Sequence, residues 1–120
     1  MVKPRKRVRR VTVKDVQRRY AQINRMCFSD SLPKNVTFGV DRMGYGQSGE
    51  CARMADQAHA LLYYKITFSK AVWNCGRRIV FIVLQHEMLH LAAGLHVHHD
   101  ETFEANKRRL IRIGAYDNLL

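Results

Sequence analysis

The chain has 120 residues, 47% of them hydrophobic and 26% charged, which suits one folded domain around one core and excludes a wholly disordered chain. Its longest apolar run, residues 79–84, has six residues against the roughly 18 a membrane span needs, and no apolar stretch follows the basic N-terminus as in a secretory signal. The net charge of +11 is uneven: residues 1–25 hold ten basic residues and one acid, Asp15, which suggests a polyanionic partner for that end.

Residues 1–11 read as a flexible basic arm, and 12–120 as one domain. Thr12 with Asp15 makes a capping box that opens a helix. Val13, Val16, Tyr20, Ile23 and Cys27 recur at helical spacing as one buried stripe, with Lys14, Arg18, Arg19 and Arg25 mostly opposite. Residues 29–31 (SDS) should end the helix ahead of Pro33. Residues 36–40 (VTFGV) form a short strand, a loop with Gly44, Gly46, Ser48 and Gly49 follows, and a weak strand lies around 51–54. Residues 61–68 (LLYYKITF) are the best strand, with Tyr63 and Tyr64 expected on opposite faces.

Residues 77–94 are apolar around most of a helix and should be buried. A last helix over about 100–113 starts acidic and ends basic, as the helix dipole favours. The fold class is α+β: a small domain with an N-terminal helix, a three-stranded, mostly antiparallel sheet, a buried central helix and a C-terminal helix. Cys27, Cys51 and Cys75 are odd in number and lack a C-x-x-C pair, so no disulfide framework is indicated and a reducing, cytoplasmic compartment is expected.

The buried helix carries His86-Glu87-Met88-Leu89-His90, an H-E-x-x-H. Spacing i, i+4 puts both imidazoles on one face, one turn apart, able to share a metal ion. Glu87 sits beside them, angled to take a proton from a water that such an ion polarises. The chain's own composition yields this pattern by chance only about 0.01 times. Two His and a Glu buried without partners would cost several kcal/mol, a difficulty that a shared Zn2+ removes.

A catalytic zinc needs a third protein ligand and an open position. His96, His98 and His99 all follow Gly94, which can end the helix and turn the chain back. His99 is preferred, because it immediately precedes the last helix, whose Phe103 can anchor that turn in the core. His59 reads as a solvated loop residue, and Cys27 and Trp73 as packing.

In order along the chain, these residues resemble the SprT-like (Spartan-type) zinc metalloprotease domain. Asn24, Phe28, Leu32 and Pro33 stand like its N-x-x-x-F-x-x-x-L-P element, and residues 36–40 like its first strand. Gly49 stands like the glycine that opens its next strand, and residues 66–69 (ITFS) resemble its I-x-x-S strand end. His86, Glu87 and His90, then His99 and Phe103, resemble its H-E-x-x-H and H-G-x-x-F; with Asp100 in the glycine's place, H-D-x-x-F is similar to the related WLM metalloproteases. The similarity covers about residues 12–113.

The resemblance implies a zincin-like fold with one Zn2+ on His86, His90 and His99, and Glu87 as general base. It also implies cleavage of DNA-associated proteins, including DNA–protein crosslinks. Lys3, Arg5, Lys6, Arg7, Arg9, Arg10, Lys14, Arg18 and Arg19 would then hold DNA, independently of sequence and with steep salt dependence. One alternative is a nucleic-acid-binding module with a structural zinc, completed by His98 or Asp100, and no protease activity. Another is a zinc hydrolase with no nucleic-acid role.

Overall fold

A computed structural model describes residues 10–56, 58, 61–94 and 101–116. Its first helix, α1 (Val13–Phe28), opens on the expected capping box: the Thr12 hydroxyl accepts from the Asp15 N–H at 3.1 Å, and the Asp15 carboxylate accepts from the Thr12 N–H at 3.0 Å. Val11, expected in the arm, is instead buried in the core with Val16, the two positions of a hydrophobic staple. Val16, Tyr20, Ile23 and Cys27 form the expected stripe. Val13 does not join it and is 39% exposed, because first-turn side chains project back past the helix end.

The end of α1 gives a physical reason for the Asn24–Phe28–Leu32–Pro33 pattern. Ser29 and Asp30 adopt left-handed backbone (φ 52° and 59°), and the Asp30 N–H donates to the Asn24 carbonyl at 2.9 Å. The Asn24 side chain, 2% exposed, accepts from the Leu32 N–H at 3.0 Å and donates to the Leu32 carbonyl at 3.2 Å. The Tyr20 hydroxyl donates to the Pro33 carbonyl next to it. Asn24→Ala would leave two buried backbone groups without partners. Urea unfolding should show a loss of about 2–4 kcal/mol.

Three strands follow: β1 (Val36–Asp41), β2 (Gly49–Asp56) and β3 (Leu61–Ser69), in the spatial order β1-β3-β2. β2 pairs antiparallel with β3, from Gly49↔Phe68 to Asp56↔Leu61, and β1 pairs parallel with it, from Val36↔Tyr64 to Asp41↔Ser69. The sheet is therefore mixed rather than mostly antiparallel. β3 takes the centre, and the 42–48 loop carries the chain from one edge to the other instead of closing a hairpin. Ile66 and Phe68 are fully buried on one face of β3. Tyr63 and Tyr64 are both half-buried, because the cover runs out toward the strand's start, where Leu62 is 49% exposed.

A five-residue helix, α2 (Lys70–Asn74), follows β3; the Ser69 hydroxyl caps it by accepting from the Val72 N–H at 3.0 Å. Trp73 leans on Phe68, with ring centroids 5.6 Å apart. The central helix, α3 (Arg77–Ala93), runs between Gly76 (φ 94°) and Gly94 (φ 104°). Its Val80, Phe81, Leu84, Met88 and Leu89 join the α1 stripe, Ile66 and Phe68 in one core. In α4 (Glu101–Arg112), Phe103 and Leu110 are buried, with acids in the first turn and arginines in the last. Beyond it Gly114 (φ 80°) turns the chain so that the Ala115 carbonyl accepts from Gln85 Nε2 at 3.1 Å and Arg19 Nη2 at 3.0 Å. That carbonyl ties α1 and α3 to the turn after α4. Among the described residues, no helix is long and apolar enough to cross a membrane.

Candidate metal centre

His86 and His90 stand one turn apart on α3 and aim at each other. Their Nε2 atoms are 3.2 Å apart and their rings meet edge to face at 77°, with centroids 4.8 Å apart. Phe103 of α4 packs against both, its centroid 5.3 Å from His86 and 4.7 Å from His90. One aromatic ring thus fixes both imidazoles from behind, which links the last helix to the site.

Both imidazoles open into a cleft of ≈ 560 Å³ between α3 and the start of β2. Ile82, Val83 and Glu87 line it on the helix side, and Gly46, Gln47, Ser48, Gly49 and Cys51 on the other. Gly49 is needed where β2 crosses α3: a Cβ there would lie 2.9 Å from Val83 Cγ1 and 3.4 Å from Glu87 Oε1. The Gly-rich loop therefore lets the edge strand come close to the helix. These cleft residues of the loop and β2 were not singled out from sequence as site residues; glycines just before an edge strand were the available signal.

Glu87 is 5% exposed, and burial, with the charge of Glu50 adding to it, raises its carboxyl to a pKa of about 7. Burial, and then the charges of Glu87 and Glu50, push the Cys51 thiol up to about 12.

The pair fits a zinc ion. Tetrahedral zinc with Zn–N bonds of about 2.0–2.1 Å holds its ligand nitrogens about 3.3–3.4 Å apart, close to the 3.2 Å between the two Nε2 atoms. Among the described residues, no group of three His, Cys, Asp or Glu side chains is placed to hold one metal. His99, the expected third ligand, and the alternatives His96 and His98 lie outside the described residues, as do Asp100 and His59.

Of the expected nucleic-acid contacts, Lys3, Arg5, Lys6, Arg7 and Arg9 lie outside the described residues, and Arg10, Lys14 and Arg18 are exposed. Arg19 is engaged internally: it donates to Gln22 Oε1 at 3.1 Å and to the Ala115 carbonyl, and its guanidinium lies 5.5 Å from the Phe81 ring centre. Cys27 is buried in the core as expected, and all three cysteines are free. Compared with models of known families, with curated proteins and with solved structures, the chain matches none.

Proposed function

We propose that this chain is a SprT-like zinc endopeptidase that acts on proteins associated with DNA in the cytoplasm. The observation that carries the reading is the 3.2 Å approach of His86 and His90 Nε2 at the mouth of a cleft lined by the buried Glu87. His86 and His90, with His99 supplied by the segment before α4, would hold the ion. Bound zinc would supply a Lewis acid that polarises the scissile carbonyl and the attacking water.

Glu87 does the proton work. Its carboxylate takes a proton from the attacking water and returns it to the amide nitrogen of the leaving product. Burial makes this carboxylate a stronger base than an exposed one, which favours taking the water's proton. Phe103 holds the imidazoles in place. β2 is a sheet edge, and its Gly49 and Cys51 line the cleft, so an extended substrate can pair with its backbone there. DNA would be held by the arm together with Arg10, Lys14 and Arg18.

The test is cleavage of casein and of a DNA-bound histone by the zinc-loaded chain, with and without DNA. Cleavage that a chelator stops and that DNA accelerates on the histone is the expected result. Stoichiometric zinc with no cleavage of either substrate would instead point to a structural metal in a binding module.

A further inference from the structure

A second pocket lies away from the cleft, where α1 packs on the beginning of α3. Its volume is ≈ 170 Å³, and it is lined by Asp15, Arg18, Arg19 and Gln22 of α1 with Arg77 and Phe81 of α3. Three arginines line it. The guanidinium groups of Arg19 and Arg77 both stack on the one Phe81 ring, 5.5 and 5.0 Å from its centre.

The electrostatics are unfavourable without an anion. Asp15 is the single carboxylate among the lining residues, and it also accepts from the Thr12 N–H at the helix cap, so the pocket keeps a net positive charge. Arg19 Nε is buried with no hydrogen-bond partner. Burial lowers the pKa of Arg19 and the charge of Arg77 lowers it further, against an opposing pull from Cys27. The N-terminus of α3 begins here as well. It has no side-chain cap and no acid in its first turn, and it places Arg77 where the helix dipole disfavours cations. An anion seated between α1 and α3 would offset the charge of Arg18, Arg19 and Arg77 and suit the bare N-terminus of α3.

We infer that this pocket binds a phosphate group of the nucleic-acid backbone, gripped by Arg18 and Arg77, with the charge of Arg19 behind them. Arg19, held by Gln22 and the Ala115 carbonyl, is oriented in advance. Lys14, one turn before Arg18 on the exposed face of α1, extends the positive track toward Arg10 and the arm. Along α3 the step from Phe81 to His90 is about 14 Å, and Phe81 and His86 lie about 140° apart around the helix. A strand held at the pocket would therefore leave the cleft open to a protein substrate. The inference rests on the nucleic-acid part of the proposed function, and the test separates the two.

The experiment follows a labelled duplex of about 20 base pairs by fluorescence anisotropy from about 50 to 300 mM salt. It compares the full chain, the double variant Arg18→Gln/Arg77→Gln, which keeps the alkyl stems, and Arg112→Gln, an exposed cation on α4, as control. A parallel arm measures the thermal shift produced by inorganic phosphate. The double variant should bind about 10-fold more weakly at low salt and lose about 2 from the slope of log K against log salt, with the control within about 2-fold. Unchanged affinity and slope in the double variant would overturn the nucleic-acid pocket while leaving DNA binding to the arm. If the unaltered chain binds no duplex, the DNA reading fails. The phosphate arm then decides: a thermal shift lost in the double variant keeps the pocket as a site for free phosphate, and equal shifts overturn it.

Discussion

Glu87→Gln should remove peptide cleavage, by about 10³-fold or more, while zinc content stays at the level of the unaltered chain. The amide preserves the shape of the side chain but cannot take the water's proton, and the imidazole pair of His86 and His90 is left as it was. Cleavage at the original rate would remove Glu87 from the reaction. The same substitution has an opposite effect on stability. A carboxyl that titrates near 4.5 in an unfolded chain and at about 7 when folded binds more protons in the native state between those values. Its contribution to stability is fully present below pH 4.5 and is lost as pH rises through 7, a difference of about 3 kcal/mol. In chelator, urea unfolding of the unaltered chain should weaken from pH 5 to pH 8 by more than that of the Gln variant. At pH 8 the inactive variant should be the more stable of the two, as expected where a buried carboxylate is kept for function.

The second large effect concerns the metal itself. His86→Ala and His90→Ala each remove one of two nitrogens that already stand 3.2 Å apart, and each should weaken zinc binding by about 10²–10⁴-fold. On the proposed reading zinc binds only the folded chain, so free zinc at about 100-fold over its dissociation constant should add about 2.7 kcal/mol to the unaltered protein and little to either variant. Calorimetry with and without zinc reads this directly. An equal zinc-induced rise in Tm for all three proteins would place the metal elsewhere. Phe103 predicts a smaller version of the same effect, since it orients both rings without offering a donor.

What could be read from the sequence was local. Thr12 with Asp15, the glycine after the last helical residue of α3 and the H-E-x-x-H spacing each act within one or two turns, and each is where it was expected. The parallel pairing of β1 with β3 is different in kind, because it depends on which strand takes the centre and on where the 42–48 loop crosses. α2 escaped notice because five residues carry no periodicity; the Ser69 cap was its one signal. Arg19 shows a further limit. Its position on α1 reads as polar, yet its long side chain turns inward to the Ala115 carbonyl, 96 positions away in sequence. The Asn24 clamp on Leu32 lies between these cases: the residues are recognisable as a pattern, and only the structure supplies the two hydrogen bonds behind it.

X-ray absorption at the zinc edge, on the full chain loaded with zinc, tests the shared-metal claim most directly. The account predicts one zinc per chain, ligated by three imidazoles and one further light atom at about 2.0 Å, with the imidazole signal reduced in His86→Ala. Sulfur at about 2.3 Å, or a spectrum that His86→Ala leaves unchanged, would contradict it.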